Sequence, residues 1–87
     1  MCTYATEHVT VSGSGKGPDG WIRLTEATVY FDHPVHALAD HTLNIDFAAP
    51  ALGPAARLAV ELDAGAARRL AEAIIAALAC APPQLTV

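Results

Sequence analysis

Alternation of polar and apolar residues divides most of the chain into four strand-like segments. Residues 42–47 and 57–62 alternate most regularly, and each segment places three large apolar side chains on one side. Residues 5–11 alternate in the same way and are rich in valine and threonine. Because a period of two residues is typical of half-buried strands, these segments and residues 21–31 are predicted to be β-strands.

The second segment changes the side of its apolar residues part-way along. Ile22 and Leu24 define one side, whereas the apolar positions from Ala27 onward define the other. A slip of this kind around Thr25 and Glu26 is what a β-bulge produces. We therefore expect a β-bulge in the second strand. A strand that crosses between two sheets of a small barrel would give the same pattern.

The stretch between the first two strands, residues 12–20, is rich in glycine and contains a proline. Both residue types favour a turn or a flexible loop, which is the prediction here. The run from Gly13 to Gly17 includes a lysine, but it lacks the spacing of a phosphate-binding loop. A predicted strand follows this run, whereas the phosphate-binding motif is followed by a helix whose N-terminus meets the phosphate, so no phosphate site is predicted.

A helical period replaces the alternation near the end of the chain. From about residue 64 to residue 80, apolar residues recur on one stripe at intervals of three or four. Asp63 is suited to cap the first turn, and Pro82-Pro83 should end the helix. Ile75 lies at the edge of the stripe, which makes the apolar face wider than one sheet needs.

These elements predict one α+β domain over residues 1–87, in the order β-β-β-β-α. Consecutive hairpins favour a four-stranded antiparallel meander, and the C-terminal helix should pack on its apolar face. A set of apolar residues is therefore expected to be mostly buried: Ile22, Leu24, Val29, Leu43, Ile45, Phe47, Leu58, Val60, Leu62, Leu70, Ile74 and Leu78.

The composition limits the size of this core and the kinds of partner. The chain has 87 residues, much of its apolar content is alanine, and aromatic residues make up only 6% of the chain. A small core of this kind favours a homo-oligomer, and a twofold dimer is the commonest form. A net charge of −4 with only five basic residues gives no footprint for nucleic acid.

The sequence also predicts a cytoplasmic location. No apolar run approaches the ~20 residues that span a bilayer, and the N-terminus has neither the basic region nor the apolar core of a signal peptide. Cys2 and Cys80 are too few for a disulfide framework, so both are expected as thiols.

The connection between the second and third strands concentrates the candidate chemistry. His33, His36 and His41 are three of the four histidines of the chain, and Asp32 and Asp40 accompany them. Imidazole nitrogens bind divalent transition metals such as zinc, and carboxylates either ligate the ion or orient a ring. These five residues are the predicted metal site.

The geometry of a hairpin supports this prediction. If the flanking strands pair, they hold the ends of the connection about 5 Å apart. Pro34 also restricts the path between the first two histidines, so convergence of the rings costs little chain entropy. The spacing matches no standard zinc signature, and a solvated polar loop at the rim of a sheet would show the same residues.

Two other groups of residues are weaker candidates. Cys2 would expose an amine beside its thiol if Met1 were removed, and His8 could join a site if the first strand lay near it. The outward face of the sheet could hold a substrate, although such faces usually contact only water. Its predicted members are Thr6, His8, Thr10, Thr42, Asn44, Asp46, Arg57 and Glu61.

Several strings of the sequence resemble a known family. They are Met1-Cys2-Thr3-Tyr4, the glycine-rich segment 12–17, and the segments Tyr30-Phe31-Asp32-His33-Pro34-Val35-His36 and 41–47. Together they resemble a family of small actinobacterial proteins of unknown function. The resemblance implies a bacterial, intracellular setting, and it assigns no activity, cofactor or site residue.

Three classes of function remain open on the sequence. A small soluble binding module, holding a metal or a small ligand at segment 33–41, is the first because it requires only convergent polar groups. A small enzyme is the alternative, with a histidine as general acid or base or as ligand to a catalytic metal. A structural, oligomerising protein without a small ligand is the third.

Overall fold

The computed structural model describes residues 4–87 and contains one four-stranded sheet and one long helix. Two single-turn 3-10 helices, over residues 50–52 and 83–85, complete the secondary structure of this part of the chain. The main elements are β1 (Thr6–Gly17), β2 (Gly20–Asp32), β3 (Thr42–Ala48), β4 (Arg57–Leu62) and α1 (Ala64–Cys80).

The sheet is an open antiparallel meander in which the strands lie in chain order, β1-β2-β3-β4. Val29 pairs with Ile45, which pairs with Val60, so one face of β2, β3 and β4 is apolar. The α+β class, the meander and the C-terminal helix are therefore confirmed. Within the described residues, no helix is long and apolar enough to cross a membrane.

The glycine-rich segment belongs to β1, so the predicted loop over residues 12–20 is wrong for most of its length. The strand continues to Gly17, and only Pro18 and Asp19 form the turn. The absence of a side chain at Gly15 leaves room for neighbouring leucines. A Cβ atom built at Gly15 would lie 2.5 Å from Cδ1 of Leu58, a residue of β4. The β1–β2 hairpin thus reaches over the end of the apolar face.

The predicted irregularity in the second strand lies in the pairing of β1 with β2. Thr10 pairs with Glu26 and Gly13 pairs with Leu24, so the extra residue is in β1 and not in β2 as expected. Leu24 and Ala27 are both buried although they are three positions apart. The change of side in β2 is therefore real, and the longer partner strand accommodates it.

Helix α1 begins where the sequence predicts and packs on the sheet beside β3 and β4. The side chain of Asp63 accepts a hydrogen bond from the backbone N–H of Ala66 at 2.7 Å, which satisfies one free donor of the first turn. The predicted burial of the stripe is wrong, however. Leu70, Ile74 and Leu78 are 43%, 53% and 57% exposed.

The buried core is correspondingly small. Among the described residues, the buried hydrophobic side chains are those of Leu24, Ala27 and Ala49. The other strand residues expected in the core are only partly buried. The radius of gyration is 14.4 Å, whereas a compact chain of this length would have about 12 Å. The helix therefore extends beyond the sheet and leaves much of the apolar face uncovered.

Candidate functional site

A loop of residues 33–41 joins β2 to β3 and folds back over the polar face of the sheet. Its ends are adjacent because Asp32 pairs with Thr42 across the strands, as the sequence predicts. The carboxylate of Asp32 accepts a hydrogen bond from the backbone N–H of His33 at 2.7 Å, which turns the chain out of β2. The loop therefore covers the polar face at the end of the sheet where β2 is joined to β3.

Glu61 of β4 holds the middle of this loop. Its carboxylate accepts hydrogen bonds from the backbone N–H groups of Val35 at 2.5 Å, His36 at 3.1 Å and Ala37 at 2.8 Å. The donors of Ala37 and Val35 contribute most, and together they hold the pKa of Glu61 below its usual value of 4.5. The group is therefore charged at neutral pH, and the loop path depends on that charge.

The two ends of the loop bring His33, Asp40 and His41 together. Nδ1 of His33 lies 2.9 Å from the backbone oxygen of Asp40, and Nδ1 of His41 lies 2.7 Å from Oδ2 of the same residue. The imidazole centroids are 4.3 Å apart. His41 also stacks on Phe31, with ring centroids 5.7 Å apart and planes at 13°. The apolar ring thus fixes one imidazole and Asp40 fixes both.

These contacts determine the tautomer of both rings. Oxygen atoms of Asp40 can only accept hydrogen bonds, so Nδ1 of His33 and of His41 must carry the proton. In a neutral ring, Nε2 then carries the lone pair that binds a metal. Nε2 of His41 is buried and has no hydrogen-bond partner among the described residues. A buried acceptor without a partner is uncommon and requires an explanation.

The separations within this cluster suit a metal ion. One ligand atom from each of His33, Asp40 and His41 can be chosen so that all lie within 4.8 Å of one another. Ligand atoms bound about 2.1 Å from one tetrahedral ion lie about 3.4 Å apart. The widest pair would therefore have to close by about 1.4 Å when an ion binds.

A cavity of about 510 Å³ lies between the loop and the polar face. The hydroxyl of Tyr30 donates a hydrogen bond to Oδ2 of Asp46 at 3.1 Å within it. Burial, and then the neighbouring Asp46, raise the pKa of Tyr30, so the phenol stays protonated at neutral pH. The titratable residues of the lining are Tyr30, His33, His36, Asp46, Arg57 and Glu61.

Comparison with known proteins places the chain in a family. The model of a family of unknown function, DUF6295, matches residues 1–87, the whole sequence. The chain is a member of the DUF6295 family. No curated protein and no solved structure matches this DUF6295 chain. Membership confirms the resemblance to a family of unknown function.

In this DUF6295 protein, the five predicted metal residues occupy different places. His33, Asp40 and His41 form the cluster. His36 instead lines the cavity, because Glu61 holds its backbone at the middle of the loop. Asp32 accepts the bond from the loop backbone and is not among the clustered ligands.

The other candidates lie apart from the cluster or outside the description. The ring of His8 in β1 lies 3.2 Å from the hydroxyl of Thr28 in β2. Cys2 lies outside the described residues. Sequence reasoning missed Glu61 as the residue that positions the loop. Its only signal was a carboxylate on the polar side of β4, close to the end of the strand.

Proposed function

We propose that this DUF6295 protein is a small metal-binding module. It would hold one divalent transition-metal ion, such as Zn²⁺, between the two ends of the loop of residues 33–41. The ligands would be Nε2 of His33, Nε2 of His41 and the carboxylate of Asp40. The observation that carries the proposal is the buried Nε2 of His41, which has no hydrogen-bond partner among the described residues.

The donor set supports an ion of the zinc type. Imidazole nitrogen with carboxylate oxygen suits zinc and its neighbours in the transition series, whereas calcium and magnesium prefer oxygen ligands alone. In the metal-free protein, Oδ2 of Asp40 accepts a hydrogen bond from Nδ1 of His41, which leaves Nε2 with the lone pair. As a ligand, the carboxylate would exchange this hydrogen bond for the ion.

The proposal is tested by titrating the metal-free protein, prepared with a chelator, with Zn²⁺ in a calorimeter. We expect one ion per chain and a Kd in the micromolar range or tighter. Because three protein ligands form a partial coordination shell, Co²⁺ should bind at the same site and develop a visible absorption band. Absence of heat and of the cobalt band at millimolar metal would contradict the proposal.

A second candidate function is metal-assisted binding or chemistry on a small molecule. Three protein ligands leave at least one coordination position open. His33 belongs both to the cluster and to the lining of the cavity, so an open position could face a bound molecule. Azide added to the Co²⁺ form should shift its spectrum if a position is open. An unchanged spectrum would leave the closed binding module as the function.

A further inference from the structure

The exposed face of α1 and the uncovered apolar face of the sheet form one continuous surface. Between them lies a groove of about 390 Å³. None of the helix residues is buried. The groove is lined by Val29, Leu43, Ile45 and Leu62 of the sheet and by Ala67, Arg68, Leu70, Ala71 and Ile74 of the helix.

The apolar stripe of α1 is symmetric in sequence about Ile74. Leu70 and Leu78 lie four residues away on either side, and Ala71 and Ala77 lie three residues away. Two antiparallel copies related by a twofold axis at Ile74 would therefore place leucine opposite leucine and alanine opposite alanine. Residues spaced by four form one ridge on a helix surface, and such ridges interdigitate between crossed helices.

The charges of α1 lie away from this stripe. At about 100° per residue, Arg68, Arg69 and Glu72 point about 120° or more around the helix axis from Ile74. Of these three charged residues, only Arg68 lines the groove that a second helix would enter. An arginine can lay its aliphatic stem along an apolar surface while the guanidinium stays in water, so Arg68 does not prevent a second helix from packing there.

We propose that two copies of the chain associate through this surface, with their α1 helices antiparallel and crossing at Ile74. A stripe of about 25 Å by 10 Å is only about 250 Å², whereas a stable interface buries about 800 Å² per partner. Each helix must therefore also enter the groove of the other copy and cover its sheet. The two sheets then lie outside and the helices between them, which supplies the core that a single chain lacks.

The parent protein tests the proposal by its mass and by one distance. Light scattering at tens of micromolar should give twice the chain mass of 9.0 kDa. In a Cys2→Ser background, a spin label on the exposed thiol of Cys80 should report an intermolecular distance of about 20 Å, from six residues of rise on each side of the axis plus the helix separation. A parallel pair would give about 10 Å. A monomeric mass, or a dimer without the 20 Å distance, overturns the proposal.

Two isoleucines provide a matched pair of variants. Ile74→Glu should leave the protein monomeric at concentrations where the parent is dimeric. Ile75→Glu should remain dimeric, because Ile75 lies about 100° around the helix from Ile74 and is 67% exposed. If Ile74→Glu does not fold, the distance at Cys80 in the parent fold decides. Equal behaviour of two folded variants would overturn the proposed register.

Discussion

Replacing His33 and His41 together by alanine is expected to abolish metal binding, whereas His36→Ala is expected to bind as the parent does. The first two residues supply the nitrogens of the cluster, while His36 lies in the cavity lining. Loss of groups that only orient ligands lowers metal affinity by about 10- to 100-fold, so loss of two ligands should exceed about 100-fold. Calorimetric titration with Zn²⁺ measures the difference.

The fold should survive the double substitution. His33 is exposed, and neither ring belongs to the buried core. Circular dichroism on each variant provides the control. Binding by the folded double variant with the affinity of the parent would refute the assignment of the ligands. A loss of Zn²⁺ binding caused by His36→Ala alone would indicate that the metal site lies in the cavity.

Replacing Glu61 by alanine should weaken metal binding by about 10- to 100-fold without touching a ligand. Three backbone N–H groups of the loop lose their acceptor, so the loop no longer holds His33 against His41. Glu61→Gln should have a smaller effect because one oxygen still accepts. Glu72→Ala, which removes a carboxylate of α1, is the charge-matched control and should bind like the parent. Equal affinities of the Glu61→Ala and Glu72→Ala variants would contradict the role of Glu61.

The same contact predicts a pH dependence of loop order. The pKa of Glu61 in the folded chain is below its usual 4.5. A carboxylate with a lowered pKa stabilises the folded form above its unfolded pKa, and that contribution is lost as the pH falls through the folded value. The amide proton shifts of Val35, His36 and Ala37 should therefore be constant at neutral pH and should move with a midpoint below 4.5. The Glu61→Gln variant should lack this transition.

The regular elements could be predicted from the sequence because their periods are clear. The predictions for residues 57–62 and for the helix from residue 64 to residue 80 agree with the structure in their bounds. The glycine-rich part of β1 could not be predicted. Glycine locally favours a turn, whereas its role at Gly15 is to allow contact with Leu58 of a strand distant in the chain.

The exposure of the apolar side of α1 also could not be predicted from the sequence. A stripe of aliphatic residues shows which side of a helix avoids water, but it does not show what covers that side. The sequence places Leu70, Ile74 and Leu78 on the apolar side, and in a single chain the sheet covers them only in part. The low aromatic and high alanine content predicts a small core, and the few buried hydrophobic residues among those described agree with this prediction.

The sequence predicts the segment that contains the candidate site, but it does not predict which side chains of that segment converge. Residue types within 33–41 indicate a metal, and the pairing of Asp32 with Thr42 brings the ends of the segment together. Which histidines converge depends on the loop path. That path is determined by Glu61, a residue 25 positions beyond His36 along the chain, so no local pattern could separate His36 from His33 and His41.

The most direct test of the metal site is a long-range ¹H–¹⁵N spectrum of the four histidine side chains, recorded without and with one equivalent of Zn²⁺. Without metal, the rings of His33 and His41 should show the tautomer protonated at Nδ1. With Zn²⁺, the Nε2 resonances of these two rings should shift, while those of His8 and His36 should stay in place. Unchanged Nε2 resonances of His33 and His41 at saturating Zn²⁺ would contradict the proposed metal centre.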